Sequence, residues 1–307
     1  IKCDPEQIII VSGSLQSLFL IGSIVLNPGD VAIMEDPTFP NVHSIFKSLR
    51  AMIASMGLDD EGLNVRNLTQ DQHKRAKLLH CTPSCHYPMG IRMSLNRRQE
   101  LLKWASDNEC FIIENDYEHE IHNFKNHTPS LFSMDSEQRV IYLSTFNRLL
   151  HPSLRLGYMI VPYYLLDAVE ALLRHSHRFV PPSIQVVLNQ FIEKHYLHSH
   201  VKKVIEVAEE REQIFRNTFT QVFPNSVTLH RNATRSLHLL AEINPRIDDR
   251  TVVKEFAKHN IIVHSLSKCH TGDAKRQGFI MGYSSVRPPV IKDKILQMAK
   301  LYHDGFF

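Results

Sequence analysis

The sequence predicts an α/β fold, a sheet covered by helices, followed by a smaller α+β domain. Short β-rich runs alternate with stretches of helical periodicity from Ile8 to Val161, and Pro181-Pro182 then breaks the alternation ahead of two long helical stretches. With 43% hydrophobic and 22% charged residues, the 307-residue chain has an ordinary globular balance, enough for one large core or two modest ones.

Taken in order, Ile8 to Val11 is a short apolar run ending at Ser12-Gly13-Ser14, turn residues that feed a helical stretch reaching Leu26. Ile8 to Leu26 approaches membrane-spanning length, but Ser12, Gly13, Ser14, Gln16 and Ser17 interrupt it, so it reads as strand, turn and helix, not as a span or signal peptide. Further strands are read at Val31 to Met34, Met52 to Ala54, Lys77 to His80, Cys110 to Ile113, Val140 to Leu143 and Tyr158 to Val161. Between them, Gln99 to Asn108 sets Leu101, Leu102, Trp104 and Ala105 at helical spacing. After the proline pair, Ser183 to Glu193 and Val201 to Phe219 read as long helices leading out of the sheet. Strands Ser236 to Ile243, Ile261 to Ser265 and Phe279 to Tyr283, with helices Arg250 to His259 and Pro289 to His303, fit the smaller domain. A boundary near Gln190 divides the chain into 1–190 and 191–307.

Composition narrows the partners. The net charge of +3 is spread without a Lys/Arg block, so this chain carries no footprint for nucleic acid or an anionic membrane. Cys3, Cys81, Cys85, Cys110 and Cys269 form an odd set without secreted-scaffold spacing, which fits a reducing cytoplasm. His80, Cys81, Cys85 and His86 are soft metal ligands within seven positions, yet the first pair ends a strand and the second lies on a loop, so no metal site is read there. His119 and His122, spaced i and i+3, read as surface residues, and His195, His198 and His200 as parts of an exposed helical connection.

Six segments in sequence order carry a resemblance. They are C-D-P-E-Q-I-I-I-V-S-G-S (Cys3 to Ser14), E-D-P-T-F-P (Glu35 to Pro40), C-T-P-S-C-H-Y-P-M-G (Cys81 to Gly90), I-I-E-N-D-Y (Ile112 to Tyr117), T-F-N-R-L-L-H-P-S-L-R-L-G-Y (Thr145 to Tyr158) and F-I-E-K-H-Y-L-H-S-H-V-K-K (Phe191 to Lys203). Together they resemble the fold type I pyridoxal phosphate (PLP) enzymes, most closely the aminotransferase-like domain of MocR/GabR-type regulators of the GntR family. The resemblance implies a mostly parallel large sheet with helices on both faces and a smaller α+β C-terminal domain. Family members carry more of the same domain before this point, and the regulators a winged-helix DNA-binding domain before that, so the chain resembles a C-terminal piece that reaches DNA only through a domain it lacks.

The family's fifth segment reads T-F-S-K-x-L-x-P-S-L-R-L-G-Y, and Arg148 stands at the lysine. In the family that lysine holds PLP as a Schiff base and then carries a proton. An amine can do both; a guanidinium stays protonated with its nitrogens delocalised, so Arg148 offers charge and a hydrogen-bond fork, not a nucleophile. No lysine lies between Asn126 and Glu193 to replace it.

The resemblance assigns the remaining site residues. Counterparts of Gly13, Ser14 and Leu15 hold the PLP phosphate together with Thr145 and Arg155, although on the residues alone Ser12-Gly13-Ser14 reads first as a helix cap. Leu15 departs from the family's usual Gln, and Asn147 from its Ser. Phe39 matches the aromatic that stacks on the pyridine ring, with a core aromatic as the plain alternative. Tyr117 matches the phenol on the PLP O3′, with a loop tyrosine as its alternative. Asn115 matches the first aspartate of E-D-D-Y, which keeps the pyridine nitrogen protonated; a neutral amide can bond that nitrogen without supporting its charge. Asp116 is next door, so a one-residue slip would restore the aspartate, and on the residues alone E-N-D-Y is also a turn or cap.

Two losses, of nucleophile and electron sink, point to a domain that senses and dimerises without catalysing, a pseudoenzyme with PLP bound at most non-covalently. The resemblance implies a homodimer, because fold type I sites are built between two subunits. A small anionic effector, an amino acid or a PLP-like compound, would meet Arg155, Arg148 and the Ser14 turn. The alternative is a PLP- or pyridoxamine-phosphate-dependent enzyme that lacks the lysine, with His151 as its base, or an aminotransferase whose lysine has been replaced.

Overall fold

A computed structural model describes residues 1–122, 128–176, 180–233, 235–272 and 276–306. The first part of the chain runs β1 (Ile8–Val11), α1 (Ser14–Val25), β2 (Val31–Asp36), α2 (Pro40–Ser48), β3 (Met52–Asp59) and β4 (Gly62–Leu63). It continues through α3 (Gln70–Arg75), β5 (Ala76–Cys81), α4 (Leu95–Asp107), β6 (Phe111–Asn115), α5 (His119–His122), α6 (Leu131–Met134), β7 (Val140–Thr145) and β8 (Gly157–Ile160). Helices α7 (Tyr163–Ser176), α8 (Pro182–Glu193) and α9 (Tyr196–Val222) lead to β9 (Thr228–Leu229), β10 (His238–Ile243), α10 (Asp249–Lys258), β11 (His264–Ser265), β12 (Gln277–Gly282) and α11 (Pro288–Phe306).

Among the described residues β1 to β8 form one sheet in the order β1-β8-β7-β6-β5-β2-β3-β4. The five strands β7-β6-β5-β2-β3 are mutually parallel, while β8 runs against both β7 and β1 and β4 turns back on β3. Parallel strands are covered on both faces, and this explains the unbroken apolar runs such as Val140 to Leu143. Alternate residues then serve opposite helical layers. Met34, Ile113 and Leu143 pack with α1, α2 and α7, whereas Ile33, Ile112 and Val140 pack with α4. A second, antiparallel sheet in the order β11-β12-β10-β9 is covered by α9, α10 and α11.

The structure departs from the sequence reading at several elements. Strand β3 runs to Asp59 instead of Ala54, burying Ala54 and Met56 while Ser55 and Gly57 face out. The strand read over Ile261 to Ser265 shrinks to His264–Ser265, with Ile262 exposed beside it. Helices α2 and α7, both amphipathic, have no counterpart in the sequence reading. Residue 190 falls inside α8. No helix among the described residues is long and apolar enough to cross a membrane.

Candidate functional site

The C-terminal ends of β6 and β7 and the turn after β1 gather the residues singled out above. Gly13 caps α1 with φ +142, a conformation L side chains rarely adopt, and a Cβ there would come within 3.0 Å of the Asn147 amide nitrogen. Gly157 is equally constrained, because a Cβ would lie 2.7 Å from the Ser144 carbonyl and 3.2 Å from Gly13 Cα. The first turn of α1 therefore meets the β7–β8 loop backbone to backbone. Ser14 and Leu15 begin the helix, whose first amides have no intrahelical acceptors and whose dipole favours an anion.

Asn147 does more than the sequence suggested. Its side-chain nitrogen donates to the Ser12 carbonyl (3.0 Å), its side-chain oxygen accepts from Leu156 N–H (2.8 Å), and its own N–H donates to Thr145 Oγ1 (3.2 Å). Thr145 in turn donates to the Leu156 carbonyl at 3.2 Å. These bonds stitch both sides of the cup together. Arg155 follows a short 3₁₀ turn (Pro152–Leu154) in the left-handed conformation, φ 50 and ψ 51, and its exposed side chain has no ion pair among the described residues.

At Arg148, the residue read in the sequence against the family's lysine, the arrangement differs. Arg148 Nε donates to Glu118 Oε1 at 2.9 Å, and Glu118 is fully buried although the Arg148 side chain is 42% exposed. The other Glu118 oxygen accepts from Ser236 Oγ (3.1 Å) and Leu237 N–H (3.4 Å), both from the chain leading into β10. Burial pulls the Arg148 pKa down and the Glu118 carboxylate more than offsets it, so the guanidinium is held charged. Nothing in the sequence marked Glu118 as the partner of Arg148.

Asn115 and Asp116 go to opposite faces of the sheet. Asn115 lies opposite Leu143, on the α1 side with Thr145, and its side-chain nitrogen sits 3.3 Å from His80 Nε2. Asp116 turns the other way, accepting from Ser84 Oγ (3.1 Å) and Tyr142 OH (3.2 Å) and lying 2.9 Å from His119 Nδ1. Asn115, read in the sequence against the family's first aspartate, thus has its side chain on the same face of the sheet as Thr145. Tyr117 donates to the Cys85 carbonyl at 3.1 Å, and burial pushes its phenol well up. Phe39, exposed at the start of α2, meets Tyr87 edge-on at 5.8 Å, and Tyr87 meets His238 of β10 at 5.0 Å.

Other polar residues at these strand ends are structural. Glu114 accepts from the Leu131 and Phe132 amides, both at 2.9 Å, and lies 3.4 Å from Arg98. Glu35 accepts from Thr82 N–H (3.0 Å) and Oγ1 (2.8 Å), and burial pushes it up to about 7. His86 Nε2 is 3.6 Å from Glu35, but burial holds His86 down to about 3, so this contact is not an ion pair at neutral pH. No group of three or more His, Cys, Asp or Glu that could hold a metal occurs among the described residues. His119 is half-buried against Asp116, not free on the surface as read, because the helix α5 folds back on β6 and β7; the side chain of His122 lies outside the described residues. Two clefts, of about 610 and 630 Å³, flank the site without including any of its predicted residues.

Residues 1–228 match the aminotransferase class I and II family, and the chain belongs to it. Among its relatives is an uncharacterized HTH-type transcriptional regulator, YdeL of Bacillus subtilis (strain 168), 28% identical over 298 residues that cover 97% of this chain and 63% of the relative. The probable rhizopine catabolism regulatory protein MocR of Rhizobium meliloti is 25% identical over 295 residues, 96% of this chain and 59% of its own. The chain spans about three fifths of the length of these two relatives. The crystal structure of an archaeal alanine:glyoxylate aminotransferase shares the fold with a TM-score of 0.91 at 23% identity, over 100% of this chain and 77% of that one.

Proposed function

We propose that this chain is the effector-binding and dimerising part of a bacterial transcriptional regulator, an aminotransferase-like domain that does no aminotransferase chemistry. The observation that carries the reading is the Arg148–Glu118 pair: the residue read against the family's nucleophile is a side chain without a lone pair, tied by a buried carboxylate to the chain leading into β10. Regulators among the relatives support the same assignment, with DNA bound through a separate domain. The exposed apolar residues Ile8, Ile10, Val186, Val187 and Ile192 on β1 and α8 suit a homodimer. Division into a large domain, 1–190, and a small one, 191–307, follows the two sheets.

The residues present fit PLP held without a covalent bond. The α1 amides, Thr145 and Arg155 would take its phosphate, and Asn115 keeps a buried carbonyl oxygen with no partner among the described residues, which would meet the ring nitrogen. Phe39 and Tyr117 would stand against the ring and its hydroxyl. When bound, PLP supplies a reactive aldehyde on an electron-withdrawing ring. Arg148 would face the aldehyde as a cation and donor only, and any small anion with the same charge pattern would be accepted on the same terms.

The enzyme alternative finds little support at its key residue. His151 is exposed and its Nδ1 is occupied by Ser153, 2.6 Å from the hydroxyl and 3.2 Å from the amide, as the cap of the 3₁₀ turn. Absorption spectra of the protein with PLP, before and after borohydride, test the proposal. Reversible binding with no reduced adduct is expected, and an adduct on any pocket residue would overturn it.

A further inference from the structure

The amide of Asn115 and the imidazole of His80 form an isolated pair in the interior. His80, the next-to-last residue of β5, lies opposite Ile113 of β6, two residues before Asn115, so both side chains leave the same face of the sheet. His80 is 1% and Asn115 9% exposed, with the Asn115 nitrogen 3.3 Å from His80 Nε2. The far ends, Asn115 Oδ1 and His80 Nδ1, have no partner among the described residues. Burial holds His80 down to about 4, so at neutral pH it is an uncharged ring with one N–H and one lone pair. Its charged and titratable surroundings do not disturb that state. His86 on the loop after β5 is held neutral by burial, Glu35 of β2 is pushed up to about 7, and the Cys81 thiol beside them is pushed well up.

A neutral imidazole can meet an amide in two senses. With the proton on Nδ1, Nε2 accepts the amide N–H and Asn115 presents its oxygen to the pocket. With the proton on Nε2, the amide turns over and Asn115 presents its N–H. Both senses are uncharged and differ only by a tautomer and an amide rotation.

We propose that the His80–Asn115 pair is a specificity device that reads the ring nitrogen of a bound phosphorylated heterocycle in either protonation state, accepting from a ring N–H or donating to a bare ring nitrogen. A carboxylate at this position recognises the protonated ring alone; the pair does not choose. Asn115 is the contact and His80 the positioning residue that holds its amide in place in either sense. The inference rests on the cofactor-type reading of the cup, and it makes ligand capture independent of the ring's charge.

Pyridoxine 5′-phosphate, which has no aldehyde, is the probe, with inorganic phosphate as the reference that cancels the titration of the phosphate itself. Calorimetric affinities for both are measured below and above the titration of the probe's ring nitrogen. The wild-type ratio of the two affinities is expected to stay constant within about threefold, whereas in Asn115→Asp it falls about tenfold per pH unit, the dependence an obligatory proton imposes. His80→Phe, which leaves the amide with nothing to set its sense, is expected to lose the preference for the probe at both pH values while still binding phosphate. His80→Gln, whose own amide can turn over, is expected to restore it. A wild-type ratio that falls as in Asn115→Asp overturns the proposal, and so does full retention of the preference in His80→Phe. A wild type that binds the probe no better than phosphate defeats the cup reading itself, and the proposal with it.

Discussion

The two ends of the proposed cup contrast. At the end proposed for a phosphate the donors are open: the Ser14 and Leu15 amides that begin α1 have no intrahelical acceptors, and Arg155 is exposed with no ion pair among the described residues. At the end proposed for a ring, which we call the ring end, the donors already meet protein partners. Arg148 gives its Nε to Glu118, Tyr117 its hydroxyl to the Cys85 carbonyl, and Asn115 its amide to His80. Holding an anion needs open donors, while chemistry on a cofactor needs an uncommitted base and a charged partner for the ring. The first requirement is met by backbone geometry, which Gly13 and Gly157 fix; the second depends on single side chains, which can be replaced without disturbing the fold.

The sharpest way to break that contrast is to restore the amine. Wild-type protein treated with PLP and borohydride should gain no phosphopyridoxyl mass, whereas Arg148→Lys should gain one on the peptide spanning Thr145 to Tyr158, most readily at alkaline pH. Mass spectrometry of the digest reads this all-or-none difference, and an unmodified Arg148→Lys protein at every pH would mean that the ring end cannot hold the aldehyde near residue 148.

Next in size is a pH dependence of stability that comes from buried carboxyls at the strand ends beside the site. Burial raises Glu35 from 4.5 in the unfolded chain to about 7 in the fold. Its contribution is therefore fully present below about pH 4.5 and is lost as pH rises through about 7, on the order of 3 kcal/mol for such a shift. Glu114, raised to about 7 by burial, acts in the same direction. Glu35→Gln should flatten the alkaline loss, and urea midpoints measured between about pH 5 and about pH 8 check it. Equal slopes in the two proteins would show that Glu35 stays ionised throughout.

Removing the cation from Arg148 tests its tie to the chain leading into β10. Arg148→Met takes from the buried Glu118 the guanidinium it is paired with while Ser236 and Leu237 still donate to it, and a loss of about 2 kcal/mol is expected, less than for a fully buried pair because the guanidinium is partly exposed. Adding Glu118→Gln should recover much of that loss, a non-additivity that thermal unfolding of the four proteins measures. At the open end, Arg155→Ala should leave stability nearly unchanged and weaken binding of inorganic phosphate or PLP by about 1.5 kcal/mol, the lower range for a charge-assisted bond. Unaltered affinity by calorimetry would show that the α1 turn alone holds the anion.

How much of this was legible follows from where each residue's partners sit in the chain. Val140 to Leu143 announced a buried strand because both faces are covered, and Ser12-Gly13-Ser14 announced a turn into a helix because the cause is local. Strand β3 was read short because its outward residues, Ser55 and Gly57, look like breakers. Arg148 was visible as a missing lysine, but its partner was not: Glu118 is 30 residues away and is fixed in turn by Ser236, another 118 residues on. The clamp made by Asn147 joins residues 135 apart and looked in sequence like a mere deviation. That Asn115 and not Asp116 faces the cup depended on strand register, which β6–β7 pairing determines and a four-residue motif does not.

Glu118 also sets what an amine at position 148 would be. Beside that buried carboxylate a lysine would be held as an ammonium, with no lone pair to offer at neutral pH. A single exchange at residue 148 would therefore supply the amine without its reactivity, and a second change, at Glu118, would be needed before the first took effect at neutral pH.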